Sequence, residues 1–333
     1  MSVIEVQDLW KSFKSRQGTV EALRGVSLCV EAGEIFGFLR PNGAGKTTTL
    51  RILATLLPPD KGRAIVAGHD LLRAPGKVRA SIGQMGGTDS TATGRENLLL
   101  QAQLYGMTRR AAQERAAGLI EQLEMASFAD RFVRTYSGGQ RRRLDLALGF
   151  VHRPALLFLD EPSLGLDPQT RARLWQEVRA LRTAGATLFL TTHYLEEADN
   201  LCDRLAIIDG GRIVAEGTPI QLKQQIAGDV LTLRLEERSD VALQRAQELL
   251  RMCPYVRDIQ GEQEYLQVYV EQGEESLVKI LRLLEEAQIG VTSVALARPS
   301  LDDVFLRQTG RSLRDEPRNA EMIKLSNPGR KRS

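Results

Sequence analysis

Residues 40–48 read Arg-Pro-Asn-Gly-Ala-Gly-Lys-Thr-Thr, between an apolar run from Ile35 to Leu39 and a helix-like stretch from Thr47 to Leu57. Strand, glycine-rich turn and helix in that order form the setting of a phosphate-binding loop. Gly43 and Gly45 let backbone amides turn toward phosphate oxygens. The start of the helix adds unpaired N–H groups and the positive end of its dipole. Asn42, Ala44 and Thr48 complete the lining, Lys46 supplies a point charge for the β- and γ-phosphates, and Thr47 a hydroxyl for Mg²⁺. The stretch therefore predicts binding of a nucleoside triphosphate, and the bland alternative is an ordinary βα turn with a solvated lysine. One position departs from the pattern: G-x-x-x-x-G-K-[ST] places its first glycine at 40, where this chain has Arg40. If the loop needs φ > 0 there, the side chain costs about 1–2 kcal/mol; if not, Arg40 is simply tolerated beside an anion.

Composition narrows the rest. The chain of 333 residues has length for two domains and a sizeable core. Its 45 Lys+Arg nearly balance 42 Asp+Glu, for a net charge of +3, so no general nucleic-acid footprint is expected. Cys29, Cys202 and Cys253 are odd in number and lack metal-type spacing, which predicts reduced, structural thiols. No apolar run approaches the roughly 18–20 residues of a membrane span, and Met1 to Trp10 holds no signal-peptide core. A soluble chain is expected, with any membrane role coming through a partner.

Ile4–Leu9 and Gly25–Glu31 alternate as half-buried strands. Residues 35–39, 156–160, 187–191 and 204–209 are nearly continuous apolar runs that suit buried parallel strands. Asp209-Gly210-Gly211 reads as a hairpin turn, and residues 95–132 as a mainly helical insertion. After Ala227 the order becomes β-α-β-β-α-β: strands at 230–235, 256–259, 265–270 and 291–297, helices at 240–251 and 274–287. That order predicts a small α+β sandwich of ferredoxin-like type. From Arg311 onward charged and turn-forming residues dominate, as in a disordered tail whose basic end, Gly329-Arg330-Lys331-Arg332, suits a membrane surface or a partner.

Tyr136-Ser137-Gly138-Gly139-Gln140 precedes Leu144, Ala147, Leu148 and Val151 at helical spacing. Ser137 and Gln140 stand at capping-box spacing, so Ser137 opens a second helix whose N-terminus can receive an anion. Leu156-Leu157-Phe158-Leu159-Asp160-Glu161 ends an apolar strand in two carboxylates. Adjacent strand side chains point to opposite sides, which gives Asp160 to Mg²⁺ and Glu161 to the attacking water. Ser163-Leu164-Gly165-Leu166-Asp167 follows, and Thr191-Thr192-His193 closes another buried strand. Alone, such a cap or such a histidine is usually structural.

Together these motifs resemble the ATP-binding cassette family over about Val3 to Leu222: phosphate loop at 40–47, signature at 136–140, strand carboxylates at 160–161, D-loop at 163–167 and switch histidine His193. The resemblance implies a P-loop NTPase with a RecA-like core and antiparallel and helical subdomains. It also implies that two cassettes pair head to tail, each ATP held between the Lys46 loop of one chain and Ser137, Gly138, Gly139, Gln140 and Asp167 of the other. Phe13 matches the family's adenine-stacking aromatic; Trp10 is the less favoured stacker, and either can instead be a core aromatic. Gln84 matches the loop glutamine that joins the Mg²⁺ site to the transporter contact. Its spacing fits when counted back from Thr93 but is about three residues short when counted from Val78. Within the family, Thr93-Gly94-Arg95-Glu96-Asn97, Tyr136–Asp145, Thr192–Asp199 and Leu301-Asp302-Asp303-Val304-Phe305 are most similar to ATP-binding subunits of daunorubicin-resistance-type drug exporters.

The expected organisation is a nucleotide-binding domain over residues 1–225, with a helical subdomain at about 88–150, an accessory α+β domain over 228–309 and a tail from 310 to 333. The expected activity is ATP hydrolysis with Mg²⁺, catalysed by Glu161, His193 and Gln84, with Thr47, Gln84 and Asp160 at the metal. Two copies would drive a separately encoded transmembrane permease from the cytoplasmic face of the membrane, without specific nucleic acid. Three alternatives stay open: export of a lipid or polysaccharide, a soluble ATPase acting on ribosomes or DNA, and a regulatory module that hydrolyses poorly because of Arg40 and the short segment near Gln84.

Overall fold

The computed structural model describes residues 1–15, 18–39, 46–224, 228–236, 239–262, 265–297 and 300–309. The chain opens with a long antiparallel hairpin, β1 (Ser2–Ser15) and β2 (Gly18–Glu31), in which Ile4 faces Val30 and Val6 faces Leu28. Both strands outrun the alternating segments because cross-strand bonding continues past the last pair buried on both strands, Leu9 and Val26, into exposed Gly18–Glu21. Next come β3 (Ile35–Leu39), α1 (Lys46–Leu53), β4 (Lys61–Val66), β5 (His69–Asp70), α2 (Pro75–Ser81) and β6 (Ile82–Gln84). The helical insertion consists of α3 (Gly94–Leu104) and α4 (Arg109–Gln122), and it leads to α5 (Gly138–Phe150). The cassette continues through β7 (Leu156–Asp160), α6 (Pro168–Thr183), β8 (Leu188–Thr192), α7 (Leu195–Leu201), β9 (Arg204–Asp209), β10 (Arg212–Gly217) and α8 (Pro219–Gln224).

Strands β2-β1-β4-β5 make one antiparallel sheet and β10-β9-β3-β8-β7-β6 a second, parallel except at the β9–β10 hairpin. That hairpin turns at Gly210 and Gly211, both at positive φ, as Asp209-Gly210-Gly211 predicts. The inner strands are buried on both sides, which is why their sequences are continuous apolar runs. Phe36, Phe38 and Phe158 gather around Phe189 between the two sheets, with ring centroids 5.8, 5.7 and 5.6 Å away. The other face is covered by helices α3 to α7. Cys202 packs against Gly37 of β3, where an added Cβ would lie 2.5 Å from its sulfur, and all three cysteines are free.

The last unit contains β11 (Asp229–Leu235), α9 (Asp240–Arg251), β12 (Val256–Glu262), β13 (Tyr265–Val270), α10 (Gly273–Glu286) and β14 (Val291–Ala297). Its antiparallel order, β12-β13-β11-β14, is that of a ferredoxin-like sandwich, with a core of its own. The helix that follows, α11 (Leu301–Thr309), does not join this core. Leu301, Val304 and Phe305 are buried in the cassette cluster with Leu201 and Leu222, so the chain returns to the cassette after leaving it. Residues 310–333, including the basic end, lie outside the described residues.

Candidate active site

The loop residues Arg40, Asn42, Gly43, Ala44 and Gly45 lie outside the described residues, so the two accounts of Arg40 find no test in the fold. The flanks are as the sequence requires: β3 ends at Leu39 and α1 begins at Lys46, with Thr47 and Thr48 in its first turn. Thr49, one turn in, is fully buried and its hydroxyl has no hydrogen-bond partner.

Parallel pairing aligns Leu39 with Thr192 and Asp160 with Thr191, so the strand end that leads into the loop, the strand carboxylates and the switch histidine converge at the carboxyl ends of β3, β7 and β8. Ligands of open α/β sheets bind in such crevices. Thr191 donates its hydroxyl to the Asp160 carboxylate and accepts from the Glu161 N–H at 3.3 Å, while the Thr191 carbonyl takes the same N–H at 3.0 Å. Strand β7 ends at Asp160, and Glu161 turns into the left-handed region at φ 45°. The two carboxylates are thus separated by a strained backbone, a correction to the strand alternation expected from sequence. Such a conformation costs a non-glycine residue about 1–2 kcal/mol. A Glu161 oxygen lies 3.4 Å from His193 Nδ1, both side chains being about one-quarter exposed or less (24% and 21%). His193 follows β8 directly, and its ring leans on Tyr194 at 4.0 Å, over which Arg171 is placed at 4.7 Å.

Gln84 ends β6, the outer strand beside β7, one strand over from Asp160 and paired two residues below it. The approach is tight: a Cβ on Gly83 would lie 1.9 Å from the Gly149 carbonyl oxygen of α5. The segment after Gln84 passes Gly86 and Gly87, both at positive φ, and is then fastened. Thr88 donates to Asp145, and buried Asn97 accepts from the Asp89 N–H at 2.8 Å and donates to the carbonyls of Asp89 and Thr93. Sequence reading assigned no role to Asp145 or Asn97. The only local signal was Thr93-x-x-Glu96, a capping box that the structure forms at the start of α3. Beside Gln84 lies a cleft of about 280 Å³, bordered by Leu56, Gly87, Gln101 and Tyr105.

A second group sits at the starts of α5 and α6. Ser137 accepts from the Gln140 N–H at 3.3 Å and Gln140 Oε1 accepts from the Ser137 N–H at 3.0 Å, the capping box read from sequence. Asp167 caps α6, accepting from the Thr170 hydroxyl at 2.6 Å and its N–H at 3.0 Å. Those bonds hold the Asp167 carboxyl below its usual range. Gly139 packs on Thr170, where a Cβ would lie 2.5 Å from the Thr170 methyl, and Gly138 faces Leu166. Ser137 and Asp167 therefore belong to adjoining helix starts. Asp160, Glu161 and His193 form the separate strand-end group.

Phe13 lies half-buried on β1 opposite Val20, with the Lys11 ammonium 5.8 Å from its ring centroid. Trp10 donates its indole N–H to Asp8 at 2.8 Å and covers Gly25, a packing role in the hairpin. The strand-end donors are carboxylate and hydroxyl oxygens. Among the described residues no three or more His, Cys, Asp or Glu side chains are gathered so as to hold a metal ion by themselves. That set fits a hard ion such as Mg²⁺ held largely by water and phosphate, rather than an all-protein metal cage.

Comparison with known proteins agrees with this geometry. Residues 23–164 match the ABC transporter family model, and residues 217–309 match the DrrA1-3-like ATP-binding protein C-terminal domain. The daunorubicin/doxorubicin resistance ATP-binding protein DrrA of Streptomyces peucetius is 45% identical over 87% of this chain and 88% of its own. Nod factor export ATP-binding protein I of Rhizobium sp. (strain N33) is 38% identical over 93% of this chain and 98% of its own. A solved ATP-binding subunit of an ABC transporter superposes with a TM-score of 0.59 at 28% identity, covering 67% of this chain and 92% of that one. The chain thus belongs to the ABC transporter ATP-binding proteins, the P-loop ATPases of that family, in the branch that carries a DrrA-type C-terminal domain.

Proposed function

We propose that two copies of this chain pair head to tail and hydrolyse MgATP to drive export of a drug or antibiotic through a separate membrane permease, from the cytoplasmic face of the membrane. The observation that carries the chemical part is the strand-end group: a carboxylate on left-handed backbone at Glu161, 3.4 Å from His193 and beside Asp160. Strained residues of this kind persist where the surroundings over-determine them, as at active sites. In this reading Lys46 neutralises the β- and γ-phosphates, Phe13 stacks on adenine, and Thr47, Asp160 and Gln84 would hold Mg²⁺. When bound, that ion would neutralise negative charge on the phosphates. Glu161 orients and polarises the attacking water, and His193 fixes that carboxylate from the other side. The helix starts at Ser137 and Asp167, with Gly138, Gly139 and Gln140, are presented to the nucleotide of the opposite chain.

The permease contact is assigned to the cleft at Gln84, because Leu56, Leu100, Leu104 and Tyr105 leave apolar surface exposed there and on the adjoining helix α3. No described helix is long and apolar enough to cross a membrane, so translocation in this reading is the work of another subunit. The names of the relatives support a drug such as daunorubicin or doxorubicin as cargo, while the Nod factor relative supports a second reading in which the same cassette serves a different compound. The domains proposed are a cassette over 1–225 and an accessory unit over 228–309 that supports the dimer, its last helix, α11, packing back on the cassette core.

Two measurements test the proposal. With Glu161→Gln to prevent hydrolysis, light scattering should show ATP-induced dimers, and adding Ser137→Arg should abolish them while each chain still binds ATP. Co-expressed with its permease, the chain should load daunorubicin into inverted vesicles in an ATP-dependent manner. Dimers that persist with Ser137→Arg would refute head-to-tail pairing, and transport of another compound in place of daunorubicin would favour the second reading.

A further inference from the structure

The β1–β2 hairpin is irregular where β1 approaches Phe13, the extra residue lying on β2. Lys11 pairs with Leu23 but Ser12 pairs with Glu21, so Ala22 is left unmatched and the hairpin bulges. Bulges re-aim the side chains that follow and leave backbone groups unpaired. On its other side β1 loses its neighbour at the same level, because β4 begins at Lys61 opposite Trp10. The start of β4 comes unusually close: Gly62, at φ 92°, stands where a Cβ would lie 2.3 Å from the Asp8 carbonyl oxygen.

Asp60, the residue just before β4, fills the gap. Its N–H donates to the Trp10 carbonyl at 2.9 Å, and its carboxylate accepts from the Ser12 N–H at 2.7 Å, the Ser12 hydroxyl at 2.9 Å and the Lys11 ammonium at 2.7 Å. One carboxylate therefore holds both residues that precede Phe13, and the ammonium it fixes is the one beside the Phe13 ring. The Lys11 side chain is only 11% exposed, so this cation is held in place rather than swinging in solvent. The same bonds, Lys11 first and the Ser12 N–H next, bring the Asp60 carboxyl down to about 2, so it is ionised at any working pH.

We propose that Asp60 is a positioning residue for the base of the nucleotide: it fixes β1 opposite the β2 bulge so that Phe13 presents its ring to adenine. This rests on the assignment of Phe13 as the stacking aromatic. The phosphate site is separate, so loss of Asp60 should cost affinity for the base and spare affinity for phosphates.

The full chain can be titrated with MgATP and with inorganic tripolyphosphate, which has no base. Stacking on an aromatic contributes enough that its loss weakens binding about tenfold or more. Asp60→Ala should weaken ATP binding about tenfold and leave tripolyphosphate affinity as in the parent; Phe13→Ala should do the same, and the double variant should lose no more than either alone. Asp60→Asn, nearly isosteric but uncharged, gives the same selective loss in smaller degree and serves if the alanine variant folds poorly. Parent-like ATP affinity in the Asp60 variants while Phe13→Ala is impaired would overturn the proposal, as would equal loss of both ligands. ATP affinity unaltered by Phe13→Ala would instead overturn the adenine assignment on which it rests.

Discussion

Replacing Glu161 by alanine and by glycine separates the cost of its backbone from the worth of its carboxylate. Both variants lose the carboxylate and its contact with His193, so they differ only by one Cβ at φ 45°. At an ordinary φ, glycine in place of alanine destabilises by about 0.5–1 kcal/mol, because the unfolded chain gains freedom. In the left-handed region the Cβ itself costs about 1–2 kcal/mol, which glycine removes. The sign should therefore reverse, with Glu161→Gly more stable than Glu161→Ala by about 0.5–1 kcal/mol. Urea denaturation of the nucleotide-free proteins reads this as a higher midpoint at unchanged slope. Hydrolysis should fall in both, and in Glu161→Gln, by about a hundred- to ten-thousand-fold, as for loss of a positioned base, with ATP affinity retained. Alanine as stable as glycine would refute the strain, and Glu161→Gln turning over at near-parental rate would refute the catalytic role.

Phe305→Ala empties a fully buried site in the cassette core, and should cost about 3–5 kcal/mol in the unfolding of the cassette while the separate core of the C-terminal sandwich keeps its transition. A loss confined to the sandwich transition would show that α11 belongs there instead. Glu177 of α6 is largely buried 2.7 Å from Arg143 of α5, yet its carboxyl is pushed from 4.5 up to about 7, because burial and the Glu124 charge outweigh Arg143 and Arg173. Its folded value lies above its unfolded one, so its contribution is full below about pH 4.5 and fades as pH rises through about 7. Glu177→Gln should flatten that decline, measured as urea midpoints from about pH 4.5 to about 8, and a parallel pH profile in both proteins would contradict the shift.

What the sequence alone determined about this protein is whatever rests on bonds or burial within a few residues. The Ser137–Gln140 box, the Asp209-Gly210-Gly211 turn and the buried strands at Ile35–Leu39 and Leu156–Asp160 form as read, since capping spans one helical turn and burial on both faces needs only an apolar run. The order of the motifs sufficed to identify the family for the same reason. Tertiary structure decided the rest. Glu161 departs from strand alternation at φ 45° although Thr191 on the neighbouring strand still takes its N–H, a turn of the backbone at the sheet's end that no local spacing signals. Helix α11 leaves the sandwich because the apolar face of Leu301, Val304 and Phe305 finds its partners on α7 and α8, and amphipathic spacing says which face is buried but not against what. Asp60 reaches Ser12 across 48 residues of chain because β4 lies beside β1, a pairing set by sheet order. Local chemistry is written in spacing, whereas the partner of a side chain depends on which elements the whole fold brings together.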